Sequence, residues 1–139
     1  MAGYSKRALV EKLGIKSGAA IAILHAPRGY DRRLGRLPPR VTRKTTAAGP
    51  LDFIQFFTTE KRELARQFAG LARALAPAGM LWVSWPKRAS GVTTDLTEDV
   101  IRAVGLGRGL VDVKVAAVDD VWSGLKFVRR LEDRRSMTR

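Results

Sequence analysis

The chain passes from an apolar run into a polar loop at one proline. Residues Met80 to Trp85 form a short, almost uninterrupted apolar stretch with two tryptophans. Such a run is typical of a strand at the centre of a sheet, covered by helices on both faces. Pro86 cannot donate a hydrogen bond to a sheet, so we expect the strand to end there. The polar residues that follow then lie beyond the carboxyl end of the strand, where open α/β sheets bind ligands.

Apolar patterning along the rest of the chain predicts strands that alternate with helices. The predicted strands are residues 19–24, 41–46, 51–57, 80–85, 110–118 and 122–130. The 41–46 segment carries Arg43 and Lys44 among threonines, which favours a short strand at the edge of the sheet. We expect the 51–57 strand to lie next to the first one. The last two strands, joined by two aspartates, are expected to form an antiparallel hairpin.

Short polar side chains predict where the helices begin, because such residues cap free backbone N–H groups. The expected caps are Ser5, Asp31, Thr59 and Asp95, with Glu98 completing a capping box at Asp95. We expect the third helix to span residues 60–75 and to be closed by residues 77–79, where proline and glycine occur together. The order strand, helix, strand around it implies parallel pairing.

A chain of 139 residues, 45% of them hydrophobic, is long enough for one hydrophobic core. We therefore expect a single three-layer α/β domain over residues 1–131, Rossmann-like, with a mostly parallel sheet and a C-terminal antiparallel hairpin. Residues 132–139 are mostly charged and are expected to be a frayed tail.

The composition excludes several kinds of site. The chain has no cysteine and a single histidine, His25, which excludes disulfides, thiolate metal sites and multi-histidine metal sites. We expect no metal, since any ion would need oxygen ligands alone. No run approaches the roughly 20 apolar residues of a membrane span, and no signal-peptide pattern follows the first residues. We therefore expect no membrane partner and a cytoplasmic location.

Positive charge is concentrated at the front of the chain. The net charge is +13, and residues 1–44 hold 11 Lys and Arg against Glu11 and Asp31. Clustered cations of this kind favour a nucleic acid or another polyanion as partner, because they displace counterions from phosphates. The candidate polyanion-binding residues are Arg28, Arg32, Arg33, Arg36, Arg40, Arg43 and Lys44. The alternative is that the charge only keeps the protein soluble.

The loop after the central strand is the candidate ligand site. A lysine, two hydroxyls and a carboxylate beyond the carboxyl end of a strand can hold an anionic or phosphorylated ligand. The candidate residues are Lys87, Ser90, Gly91, Thr94 and Asp95, together with His25 at the end of the first strand. The alternative is structural: Ser90 and Gly91 make a turn, and Thr94 and Asp95 cap the next helix.

The order of elements resembles a compact class I methyltransferase-type Rossmann domain over nearly the whole chain. The resemblance rests on residues 13–18 before the first strand, the strand, helix, strand unit that follows, and the closing hairpin. Local sequence is also similar to a family of small bacterial proteins that carry a domain of unknown function. That likeness lies in residues 85–87, 90–92, 94–96, 118–119 and 122–125, and it implies no activity.

The chain departs from the methyltransferase pattern at both cofactor contacts. The family places an acidic residue and a Gly-x-Gly-x-Gly turn after the first strand to hold S-adenosylmethionine, whereas residues 25–29 here read His-Ala-Pro-Arg-Gly. It places an acidic residue for the ribose hydroxyls after the second strand, where this chain has Arg43 and Lys44. These departures predict no cofactor and argue against methyl transfer.

The sequence thus favours a noncatalytic binding or interaction domain on a methyltransferase-like scaffold, with a basic N-terminal third for a polyanion. One alternative is a small enzyme or sensor that binds a phosphorylated small molecule at the Lys87 loop. Another is a homodimer formed through the hairpin edge or the Trp122 region. The sequence leaves the oligomeric state and the biological role open.

Overall fold

In the computed structural model, which describes residues 7–137, strands and helices alternate along the chain. The strands are β1 (Ala20–Leu24), β2 (Thr42–Lys44), β3 (Leu51–Phe57), β4 (Leu75–Pro86), β5 (Leu110–Ala117) and β6 (Trp122–Arg129). The helices are α1 (Leu9–Leu13), α2 (Tyr30–Leu34), α3 (Lys61–Ala74), α4 (Glu98–Leu106) and α5 (Leu131–Met137). The last helix lies in the segment that was expected to be a frayed tail.

The strands form one sheet in the order β2-β1-β3-β4-β6-β5. Strands β1 to β4 pair with one another in parallel, while β6 is antiparallel to both β4 and β5. This arrangement confirms the predicted mixed sheet, the edge position of β2, the pairing of β3 with β1 and the C-terminal hairpin. The hairpin folds back so that its second strand lies next to β4.

Helices cover the sheet on both sides, which confirms the three layers. Leu64, Phe68 and Leu71 of α3 and Ile101 of α4 belong to one buried apolar cluster. Residues of α1 and α2, including Leu13, belong to the other. We call these sides the α3/α4 face and the α1/α2 face. None of the helices in the described residues combines the length and apolarity needed to cross a lipid bilayer.

Strand β4 begins earlier than predicted because a buried arginine satisfies the backbone at its start. The Arg129 guanidinium donates to the carbonyl oxygens of Leu75 at 3.0 Å and Ala76 at 2.7 Å. It also donates to the carbonyl of Ala72 in the last turn of α3, where a cation is favoured by the helix dipole. The prediction that residues 77–79 form a closing turn is therefore wrong, since β4 continues through them.

The predicted helix caps are corrected at several positions. Helix α2 follows Gly29 and has no side-chain cap, so Asp31 lies inside the helix. Helix α4 is capped by Thr97, whose hydroxyl accepts from the Val100 N–H at 3.2 Å, and not by Asp95. Thr59 makes no cap for α3. Ser5 lies outside the described residues.

The pairing of β5 with β6 contains an irregularity. Asp112 lies opposite Phe127 and Lys114 lies opposite Lys126, so Val113 is an extra residue in β5. Phe127 faces the α3/α4 cluster, and side chains alternate between faces along a strand. Asp112 and Lys114 therefore lie on opposite faces of the sheet, although they are two residues apart.

Candidate functional site

The carboxyl ends of β1, β3 and β4 meet at one edge of the sheet, because these strands are parallel. Strand β6 begins at the same edge, with Trp122 opposite Pro86. We call this the carboxyl edge. Residues that follow the parallel strands here are His25, Thr58 and Lys87. Open α/β sheets bind their ligands at this edge.

His25 adopts a left-handed backbone conformation directly after β1, with φ of 59°. Such a conformation is uncommon for a residue with a side chain and often marks a functional position. The imidazole is 54% exposed, packs against the ring of Phe56 at 5.1 Å between centroids, and places Nδ1 3.9 Å from Oε2 of Glu63. The structure therefore pairs His25 with a carboxylate.

Glu63 lies in the first turn of α3 and is held by a buried hydroxyl. Thr58, which is 4% exposed, donates from Oγ1 to Oε1 of Glu63 at 2.5 Å. The same hydroxyl oxygen accepts from the Glu60 N–H at 3.2 Å. One carboxylate oxygen of Glu63 is thus fixed by Thr58, while the other points toward His25. Sequence reasoning missed both Glu63 and Thr58.

A buried polar network lies on the α1/α2 face of the sheet. Tyr30 donates from its hydroxyl to Oε1 of Gln55 at 2.5 Å, and Gln55 donates from Nε2 to Oγ of Ser84 at 3.1 Å. Each of these side chains is at most 2% exposed. Burial raises the pKa of Tyr30 well above its ordinary value, so its hydroxyl stays a donor. The network ties the start of α2 to β3 and β4.

The loop after β4 uses several of its predicted ligand residues for its own structure. Ser90 donates from Oγ to the Lys87 carbonyl at 2.7 Å and accepts from the Val92 N–H at 3.2 Å. Gly91 has a φ of 77°, which suits glycine in this turn. These hydrogen bonds correspond to the structural alternative for Ser90 and Gly91.

Thr94 and Asp95 bind the start of α3 and not the helix that follows them. Thr94 donates from Oγ1 to the Thr59 carbonyl at 2.5 Å. Asp95 accepts from the Lys61 N–H at 2.8 Å, and so caps a helix that begins 34 residues earlier in the chain. The loop after β4 is thereby tied to the helix that carries Glu63.

A cleft of about 490 Å³ opens beside this loop. Trp85 and Leu96 supply apolar walls, and Thr97 and Glu98 add polar groups. Of the predicted ligand residues, Gly91 and Thr94 line the cleft. His25 instead lies beside Glu63. The structure therefore divides the predicted residues between two places along the carboxyl edge.

The predicted polyanion-binding residues lie on α2, β2 and their connections. Arg28, Arg32, Arg33, Arg36 and Arg40 are exposed. Arg43 is neutralised by Asp31, with 2.8 Å between guanidinium and carboxylate. Lys44 is half-buried and donates to the Ala48 carbonyl at 3.4 Å. Six of the seven residues are therefore exposed, and one of the six, Arg43, is paired with Asp31.

The residues at the carboxyl edge provide charges of both signs for a cofactor such as S-adenosylmethionine, although not at the family's usual positions. No acidic residue follows β1 or β2 within residues 25–30 or 45–50. The carboxylates at this edge include Glu63 on α3 and Asp95 in the loop after β4, and Arg28 in the loop after β1 supplies a cation. A sulfonium and an amino-acid carboxylate need one group of each sign.

The sequence matches no family model and no curated protein. Solved structures are similar to it. A methyltransferase that depends on S-adenosylmethionine, from Aquifex aeolicus, aligns with a TM-score of 0.60 at 14% identity, covering 86% of this chain and 86% of that one. Magnesium protoporphyrin IX methyltransferase from Synechocystis PCC 6803 aligns with a TM-score of 0.58 at 13% identity, covering 88% and 78%.

A third similar structure is a TehB-like S-adenosylmethionine-dependent methyltransferase from Corynebacterium glutamicum. It aligns with a TM-score of 0.55 at 14% identity, covering 93% of this chain and 91% of that one. These findings overturn the expectation of a noncatalytic domain in which methyl transfer is unlikely. That expectation rested on two missing cofactor contacts, whereas the similar structures share the scaffold as a whole. The chain has the Rossmann-like fold of S-adenosylmethionine-dependent methyltransferases.

Proposed function

We propose that this protein is a methyltransferase whose reacting groups lie at the carboxyl edge, beside Glu63 and His25. The observation that carries the proposal is the Thr58, Glu63 and His25 arrangement at the strand ends of a methyltransferase-type sheet. Ligands of open α/β sheets bind at this edge. A carboxylate whose position is fixed by a buried hydroxyl is suited to hold a cationic group.

The chain's own residues have distinct tasks in this proposal. Glu63 provides negative charge, and Thr58 keeps its carboxylate in one orientation. His25 accepts the proton that an oxygen or nitrogen acceptor loses when it is methylated, since a neutral imidazole nitrogen is a proton acceptor. S-adenosylmethionine supplies the electrophilic methyl group when bound. We assign Arg28 the task of binding the carboxylate of S-adenosylmethionine.

Calorimetric titration with S-adenosylhomocysteine tests the cofactor part of the proposal. We expect binding by the unaltered protein and at least a tenfold weaker affinity in Glu63→Gln, because that variant keeps the shape of the side chain and removes its charge. Glu60→Gln is the matched control, since Glu60 is exposed on the same helix start. Absence of binding heat at millimolar ligand, together with no thermal shift, would overturn the proposal.

Transfer of a radiolabelled methyl group from S-adenosylmethionine to components of a cell extract tests the reaction itself. We expect label transfer that His25→Asn reduces at least tenfold while leaving S-adenosylhomocysteine binding within twofold. Equal losses of binding and transfer in that variant would contradict the role of His25 as a base. The cytoplasmic location and the link to small bacterial proteins of unknown function remain predictions.

A further inference from the structure

Lysines from both ends of the chain meet on the α1/α2 face. Lys114 of β5 lies directly opposite Lys126 of β6, so their side chains share one face of the sheet. Lys126 lies opposite Trp82 on its other side, and Trp82 belongs to the apolar cluster of that face. The Lys114 ammonium donates to the Lys12 carbonyl of α1 at 3.4 Å. Lys16 follows four residues after Lys12.

No carboxylate neutralises these side chains in the part of the chain that the structure describes. Lys12, Lys16, Lys114 and Lys126 take part in none of the ion pairs among residues 7–137. Residues 1–6 contain no acidic side chain either. We call these four residues the lysine cluster.

The lysines repel one another. Burial, and then the positive charges of Arg33, Lys114, Lys87 and Arg7, hold the pKa of Lys12 below its ordinary value. Burial, and then the charges of Lys114 and Lys16, do the same for the pKa of Lys126. Like charges directly opposite each other in a sheet are destabilising. The native fold therefore keeps an unfavourable arrangement that no carboxylate of the described residues neutralises.

The lysine cluster is continuous with the exposed arginines of α2. Arg33 of α2 acts on Lys12 across the contact between α1 and α2. Arg32 of the same helix is exposed, as is Arg36 just after the helix. The result is a basic surface that runs from β5 across α1 to α2. A surface of this length fits a polymer of regularly spaced anions better than it fits one small phosphate ligand.

We propose that the lysine cluster, together with the exposed arginines of α2, binds the phosphate backbone of a nucleic acid. Lysines act as point charges toward phosphates and carry no base specificity. A membrane surface is a poorer fit, because interfacial binding needs apolar anchors beside the cations. Of the exposed large apolar side chains in the described residues, Val113 and Val115 lie next to Lys114 on β5. Val115 pairs with Leu125 of the α3/α4 cluster and so faces the other side of the sheet, which leaves Val113 as the one such neighbour of Lys114 among the described residues.

Fluorescence anisotropy with labelled single-stranded RNA and labelled duplex DNA, at several salt concentrations, tests the proposal. We expect Lys114→Gln/Lys126→Gln to weaken binding at least fivefold at low salt and to lower the log–log salt slope by about 2. Arg66→Gln/Arg73→Gln is the matched control. It removes the same charge from exposed positions of α3 on the opposite face, and we expect an affinity within twofold of the unaltered protein.

Equal weakening in the two double variants would overturn the proposal, since it would show diffuse attraction to net charge. Absence of binding to either nucleic acid at low salt would overturn it as well. Tighter binding to vesicles that contain anionic lipid than to nucleic acid would overturn the choice of partner. S-adenosylhomocysteine titrations of the lysine variant, which keeps Glu63 and His25, separate this proposal from the methyltransferase one.

Discussion

On the α3/α4 face, Arg102 and Arg129 are paired with acceptors, whereas on the α1/α2 face lysines lie next to one another. Arg102 of α4 forms ion pairs with Glu98, with Asp99 at 2.8 Å and with Asp112 at 2.9 Å. Arg129 is surrounded by carbonyl oxygens on the same side. The lysine cluster has no such acceptors among the described carboxylates. Arg102 and Arg129 stabilise the fold, whereas the lysine cluster forms the surface that we propose for a nucleic acid.

Arg129→Met would remove the paired cation at the start of β4, and we expect it to have the largest effect on stability of the substitutions considered. The substitution keeps much of the apolar volume but leaves the carbonyls of Ala72, Leu75 and Ala76 without their donor. We expect the free energy of unfolding to fall by about 3 kcal/mol, the value of hydrogen bonds to a charged group. Urea denaturation measures it, with exposed Arg130→Met as the control. A loss below about 1 kcal/mol would contradict the role of Arg129.

Gln55→Leu would show whether the α1/α2 face depends on its buried polar contacts. Tyr30 and Ser84 would lose their partner inside the core, so we expect a loss of about 2 kcal/mol in unfolding free energy. Adding Tyr30→Phe should cost less in the Gln55→Leu background than in the unaltered protein. Denaturant unfolding of the complete double-mutant cycle measures the coupling. Strict additivity of the two losses would disprove the network.

Lys126→Met tests whether the lysines of the α1/α2 face destabilise the fold, and we expect a small gain in stability. Removing one of two opposed ammonium groups should raise the unfolding free energy by about 0.5 kcal/mol. High salt should reduce the gain, because it screens the repulsion in the unaltered protein.

The pH dependence gives a second readout for Lys126. Because its pKa is lowered in the folded state, the unfolded chain binds more protons as the pH approaches the ordinary lysine value of about 10.4. The unaltered protein should therefore gain stability as the pH rises through this window, and Lys126→Met should gain less. Thermal unfolding at a series of pH values measures both effects. A destabilised Lys126→Met variant would show that its ammonium group is not repelled.

The strands of this fold could be predicted because their signal is local. Runs such as residues 51–57 and 80–85 are apolar enough to identify buried strands, and β2 is marked as an edge strand by Arg43 and Lys44. The helix caps could not be predicted in the same way. Asp95 is chemically suited to cap the next helix, but tertiary packing brings it to Lys61, and no pattern near residue 95 signals that choice.

Only part of the candidate site could be predicted from the sequence, because tertiary packing again decides which residues meet. His25 stands out as the single histidine at a strand end, whereas Glu63 looks like any acidic residue in a first helical turn. Parallel pairing of β1 with β3 brings the two together across 38 positions of sequence. The face that Lys114 occupies could not be predicted from the sequence either, because it depends on the extra residue at Val113 in β5.

The extra residue at Val113 also affects how charge is distributed between the two faces of the sheet. In a regular strand, Asp112 and Lys114 would project from the same face, and their opposite charges would cancel at short range. The irregularity instead sends the carboxylate to Arg102 and the ammonium to the opposite side. The charges of β5 are thereby separated across the thickness of the sheet as a local dipole. In the electric field of a polyanion, such a dipole orients the protein so that its α1/α2 face points toward the polyanion. Collisions in this orientation then become more frequent.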